Sequence, residues 1–165
     1  MITLGLDIST SSTGYAIYND GLIYGCIKSN KKHDEFTNLI NLKSFISNLI
    51  YQYNPDIINI EAPAKQFNKY TNANTLNKLT GWNYVIFIMC KELNPNTFHI
   101  NVNTARAKLR KKANLTGRLK KEDVPNAIEI ITGKEFKKIF NRNGNIMTST
   151  YDMSDACALA LFNME

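Results

Sequence analysis

Cysteine is scarce in this chain: Cys26, Cys90 and Cys157 are odd in number, far apart and set in apolar surroundings. That spacing excludes a disulfide framework and a cysteine-rich zinc site, and it reads as buried thiols in a reducing compartment. Long apolar runs are missing too. Stretches such as Val85 to Cys90 fall well short of the ~20 residues that cross a bilayer. The opening Met1-Ile2-Thr3-Leu4-Gly5 has neither the basic region nor the apolar core of a secretion signal, so the expectation is a soluble, cytoplasmic protein with no membrane partner. Without secretion the glycosylation-like triplet Asn114-Leu115-Thr116 is a chance match. No internal repeat and no linker interrupts the 165 residues, which read as one domain, 1–165, large enough for a sheet flanked by helices. Acidic residues are in deficit, 14 against 20 Lys and Arg for a net charge of +6, and the deficit is local. Arg106, Lys108, Arg110, Lys111, Lys112, Arg118, Lys120 and Lys121 follow one another without an intervening acid, which favours contact with the phosphates of a nucleic acid over a merely solvated face.

The order of elements is legible from hydrophobic patterning. Ile2 to Ile8, Gly14 to Tyr18 and Leu22 to Ile27 read as strands, the last two joined by the hairpin turn Asn19-Asp20-Gly21. Apolar residues at helical spacing mark a helix from Glu35 to Tyr53, stopped by Pro55. Asp56 to Glu61 reads as a buried strand reached by a crossover, and a helix from about Asn74 to Leu93 follows. That helix is apolar on all sides around residue 87, which gives it a second buried face: a subunit interface with Trp82, Val85, Phe87 and Met89 as candidates, or simply core. Thr97 to Val102 reads as a further strand, then helices over about Lys121–Ile131 and Tyr151–Asn163.

Four carboxylates stand out against this order: Asp7 and Glu61 close core strands, and Asp152 and Asp155 lie three apart at the start of the last helix. No Lys or Arg adjoins any of them in the sequence. An unpaired charge is expensive to bury, so the set calls for a divalent cation, and hard oxygen ligands suit Mg²⁺ or Mn²⁺. The plainer reading makes Asp152 an N-cap, Asp155 a solvated first-turn acid and Asp7 part of the turn chemistry of Ser9-Thr10-Ser11-Ser12. The conjunction is more specific than its members. His33 and His99 stand alone and receive no role; Glu122 and Asp123 read as the opening of a helix.

Leu4-Gly5-Leu6-Asp7, Thr13-Gly14-Tyr15-Ala16, Ile60-Glu61, a basic segment and Asp152-Met153-Ser154-Asp155-Ala156-Cys157-Ala158-Leu159-Ala160, in this order, resemble the RuvC family of Holliday junction resolvases, and the departures noted below resemble its divergent phage and viral members. The resemblance implies a ribonuclease H-like α/β fold, a central five-stranded mixed sheet with helices on both faces. It implies that Asp7, Glu61, Asp152 and Asp155 bind two Mg²⁺ or Mn²⁺ ions and activate water, leaving 5′-phosphate and 3′-hydroxyl ends. It also places Lys121, with Lys120 as near-equal candidate, at the scissile phosphate, and Lys108 at another basic position. Its implied partners are branched DNA and a second copy of the chain, since a two-fold dimer matches the two symmetry-related strands of a four-way junction. Ile8-Ser9 stands where bacterial members have Pro-Gly, and the aromatic they place near the second acid is missing from Ala62-Pro63-Ala64. Phe67 or Tyr70 could replace it at the branch point, although an aromatic anchoring a loop is the commoner case. Two other enzyme readings stay open, a ribonuclease H-like nuclease acting on RNA–DNA hybrids, forks or flaps, and a sugar-kinase-like phosphate loop at Asp7. A junction-binding module without cleavage is the non-enzymatic one.

Overall fold

The computed structural model describes residues 1–63 and 73–164. Three strands open the chain, β1 (Thr3–Asp7), β2 (Ser12–Tyr18) and β3 (Leu22–Lys28), paired antiparallel as a meander. The β2–β3 turn uses Asp20 at φ 52°, a conformation Asp tolerates better than most residues.

Helix α1 (Glu35–Tyr53) starts at Asp34, whose carboxylate accepts from the Thr37 backbone N–H at 2.9 Å and from the Thr37 hydroxyl at 2.6 Å. Those bonds satisfy a free helix-end donor and hold the Asp34 carboxyl below its ordinary pKa. Asn54, left-handed at φ 43°, ends the helix just before Pro55. The crossover delivers β4 (Ile57–Glu61) parallel to β1. Helix α2 (Ala73–Leu93) then leads to β5 (Thr97–Ile100), parallel to β4. The sheet order is β3-β2-β1-β4-β5, and its five strands of mixed direction with helices on both faces are those the resemblance implies. Among the described residues no helix is long and apolar enough to cross a membrane.

The strand predicted over Thr97–Val102 is shorter than expected. It stops at Ile100 because the Asn101 side chain accepts from the Asn103 N–H at 2.9 Å and caps a new helix, α3 (Val102–Lys112), which holds most of the basic segment. A short 3₁₀ turn over Lys121–Asp123 runs into α4 (Val124–Thr132), and α5 (Thr148–Ala160) closes the fold.

Two cores lie on opposite faces of the sheet. Leu42, Ile46, Leu49 and Ile50 of α1 pack with Trp82, Ile86, Met89 and Cys90 of α2 beneath one face. The other face carries α3, α4 and α5, with α5 central and buried almost all round. Cys90 and Cys157 are buried free thiols whose pKa burial raises; Cys26 is free and partly exposed.

The expected subunit face needs correction. Trp82 and Met89 belong to the core: the Trp82 indole N–H donates to Glu35 Oε1 at 3.2 Å, and Met89 Sδ accepts from Ser47 at 3.3 Å. At 100° per residue only part of an apolar helix can face outward, and on α2 that part is Tyr84 (50% exposed), Val85 (38%) and Ile88 (56%). Phe87 is half-buried, its ring stacked on His99 at 3.9 Å.

Candidate active site

β1 and β4 run parallel side by side, so their last residues, Asp7 and Glu61, emerge at the same edge of the sheet. In open α/β sheets the carboxyl ends of parallel strands are where ligands are held. The remaining two acids arrive on α5, and glycine permits the approach. A Cβ at Gly14 of β2 would fall on the Asp152 carbonyl group, and a Cβ at Gly5 of β1 on the backbone of Ala156. The helix therefore rests its own backbone on the sheet, with Ala156 and Ala160 as small residues at the crossing.

Asp152 and Asp155 are not the N-cap and solvated first-turn acid of the plainer reading. The helix begins three residues earlier than predicted, at Thr148 after an N-cap at Met147, so both acids lie well inside it and Asp155 is only 2% exposed. Burial and three carboxylate neighbours have a measurable chemical consequence. Asp7, 8% exposed, has its pKa raised well above the ordinary aspartate value, first by desolvation and then by Glu61, Asp155 and Asp152. Asp152 is raised to about 6, mainly by burial; Lys121 opposes the rise, and Asp155 and Glu61 add to it.

The expectation that no cation attends the acids holds for the sequence and fails for the fold. Arg106 of α3 grips Asp155 in a two-pronged pair, Nε to Oδ1 at 2.9 Å and Nη2 to Oδ2 at 2.6 Å. Its side chain is 15% exposed, and Asp155 takes up Nε and Nη2 of its guanidinium. Lys121 Nζ stands 3.7 Å from both Asp152 Oδ1 and Asp155 Oδ2 and 5.9 Å from the centre of the Tyr151 ring. Lys120, its near-equal in the sequence, is an exposed residue with no ion pair among the described residues.

Sequence reasoning missed Asn83 and His99. The Asn83 side chain, buried in α2, donates to the Glu61 carbonyl at 2.8 Å and accepts from His99 Nε2 at 2.8 Å. This pair ties the end of β4 to α2 and β5. Burial lowers the His99 pKa, which keeps the ring neutral. No sequence pattern marked them; the register Ile60↔His99, seen only in the fold, seats His99 one strand away from the Glu61 end.

The basic segment does not form one face. Arg106 and Arg110 share one side of α3, and Arg118 joins them from the loop after Gly117 around a common cavity. Lys108, Lys111 and Lys112 line a different, open depression with Asn163 and Met164. There Lys108 Nζ lies 4.5 Å from the centre of the Phe162 ring, and Lys112 donates to the Met164 carbonyl. A helix spreads closely spaced cations around its axis, which a linear count of charge cannot show. Phe67 and Tyr70 lie outside the described residues.

No protein-family model and no curated protein matches the sequence. Solved structures do match. Thermus thermophilus RuvC in complex with a Holliday junction substrate aligns over 98% of this chain and 91% of its own, with TM-score 0.69 and 15% identity. The chain has the RuvC fold. A second Thermus thermophilus RuvC structure gives TM-score 0.64 at 14% identity over 98% and 92% of the two chains. The yeast mitochondrial Holliday junction resolvase Ydc2 gives 0.60 at 15% over 97% and 76%.

The donor set fits a hard divalent cation in its chemistry. Asp7, Glu61 and Asp152 offer only carboxylate oxygens, and the pKa of Asp7 is raised by burial first and then by its carboxylate neighbours. As the side chains stand, no three acids, histidines or cysteines among the described residues are grouped closely enough to hold an ion. Arg106 and Lys121 supply the positive charge that Asp155 and Asp152 face.

Proposed function

We propose that this single domain is a metal-dependent endonuclease that nicks branched DNA, resolving four-way junctions by paired symmetric cuts. The reading is carried by the convergence of Asp7, Glu61, Asp152 and Asp155 at one sheet edge with Lys121 beside them. The RuvC fold, shared with structures whose names are those of Holliday junction resolvases, supports it.

Asp7, Glu61, Asp152 and Asp155 would hold Mg²⁺ or Mn²⁺, two ions in the full site. When bound, such ions polarise a phosphoryl oxygen and lower the pKa of a coordinated water. The chain's own residues do the rest. The Asn83 bond to the Glu61 carbonyl fixes the end of β4, and Arg106 fixes the Asp155 carboxylate through both oxygens. Lys121, close to the acids yet 41% exposed along its side chain, is placed to meet a phosphate entering from solvent and to stabilise charge developing on its oxygens. Hydrolysis in this arrangement leaves a 5′-phosphate and a 3′-hydroxyl. A second copy of the chain joined through Tyr84, Val85 and Ile88 would present a second site to the symmetry-related strand.

The test is cleavage of a labelled four-way junction beside linear duplex, fork and RNA–DNA hybrid, with and without Mg²⁺ or Mn²⁺. The expected result is symmetric, metal-dependent nicking of the junction, absent in Asp7→Asn, which still binds. Cutting of forks or hybrids as well would broaden the substrate class. Full activity of Asp7→Asn would remove the acid cluster from the chemistry, and binding without cutting would make the chain a junction-binding module.

A further inference from the structure

α3 places Arg106 and Arg110 one turn apart on the same face, and Gly117, left-handed at φ 74°, turns the chain so that Arg118 reaches the same place. With Asn103, Ala107 and Leu119 they line a cavity of about 140 Å³. Its charge is unbalanced. Arg106 is committed to Asp155, but neither Arg110 nor Arg118 has a carboxylate partner among the described residues. Arg110 Nη1 donates to the Gly117 carbonyl at 2.5 Å, while its Nε is buried with no hydrogen-bond partner among the described residues. A charged donor left in that state is unfavourable. Planar guanidinium groups match the paired oxygens of a phosphate better than a spherical ion.

We propose that Arg106, Arg110 and Arg118 seat one backbone phosphate of the DNA strand, within two nucleotides of the phosphate that is cut. The inference rests on the nuclease reading. Position selects the ligand: Arg106 both lines the cavity and bonds to Asp155, so the pocket opens immediately beside the acid cluster. A strand whose scissile phosphate lies at those acids must pass another phosphate across this point, because successive phosphates follow within a few ångströms along the axis. The contact fixes register and carries no sequence information. It differs from the Lys108, Lys111 and Lys112 side of α3, where the cations are spread over an open depression.

Junctions carrying a single methylphosphonate, which removes one backbone charge, test this when scanned through each position flanking the cut. The variant is Arg118→Ala, because Arg118 is exposed and touches none of the four acids. In the unaltered protein one position within two nucleotides of the cut should weaken binding by about tenfold. In Arg118→Ala that same substitution should cost no more than about twofold while other positions keep their effect, the mark of a specific coupling. A flat scan, or a variant weakened equally on every substituted junction, would overturn the pocket and leave a diffuse basic surface. If the unaltered protein binds no DNA at all, the nuclease reading falls with it; binding and cutting with a flat scan removes the pocket alone.

Discussion

Arg106 and Asp155 lie 49 residues apart in the chain, yet both carboxylate oxygens of Asp155 are held by one guanidinium. With Asp155 almost sealed from water, replacing Arg106 by Met leaves a charge that, among the described residues, only Lys121 at 3.7 Å answers. Loss of one partner of such a pair costs about 3–5 kcal/mol, which a denaturant titration reads as a lowered midpoint with unchanged slope. Arg106→Lys should recover only part, since an ammonium cannot bridge both oxygens, and adding Asp155→Asn to Arg106→Met should restore stability because no charge is then stranded. A pH dependence follows from Asp152. Its folded pKa of about 6 exceeds the ordinary 3.8, so the folded state holds the proton more tightly than the unfolded chain. The stability this provides is complete below about 4 and is lost as pH rises through about 6. Thermal melts of the metal-free protein should decline across that window and decline less steeply in Asp152→Asn, where the raised Asp7 still contributes. Asp7 and Glu61 stood out in the sequence because a carboxylate closing an apolar strand is conspicuous, and Asp152 and Asp155 because they lie three apart on a helix. Arg106 was not, because only the packing of α3 against α5 decides which of eight cations meets Asp155.

For elements, the decisive contact is backbone on backbone, α5 against β1 and β2 at Gly5 and Gly14. Gly14→Ala must push the Asp152 turn off the sheet. Overpacking of this kind costs typically 1–3 kcal/mol, and here the neighbour is main chain that cannot rotate aside. The expected outcome is a folded but less stable protein whose nicking rate falls far more than its junction affinity, checked by thermal melts and single-turnover cleavage. The strands, α1 and α2 were legible because their apolar periods are strong. α3 was not. Its inward face consists of Ala105 and Leu109 among charged and polar neighbours, and its beginning is set by the Asn101 cap rather than by hydrophobicity. The start of α5 was placed late for a related reason: Ser149 and Thr150 look like loop residues, but both are buried, and the Thr150 hydroxyl accepts from the Ile139 N–H at 2.8 Å.

Across the whole molecule the cations divide around α3, so DNA binding should show two kinds of loss. Lys111→Ala, from the open side, should weaken binding alike on all sequences and shorten the slope of log affinity against log salt by about one unit. An unchanged slope would remove that side from the interface. The outer face of α2 makes a separate prediction: Ile88→Glu should leave thermal stability nearly unchanged, since Ile88 is exposed, and convert a dimer to a monomer in sedimentation. A wild-type monomer would remove the dimer from the proposal. Composition had indicated a basic partner surface and an apolar helix; which side of each helix faced outward was decided by the two cores.

The order of assembly has a consequence of its own. Asp7 stands in β1 and Asp155 in α5, at opposite ends of the element order, and each reaches the other only when the helix settles on Gly5 and Gly14. A chain still emerging from the ribosome carries some of these acids but not the assembled cluster. Whatever the cluster does to nucleic acid, the cell is exposed to it only from fully folded copies.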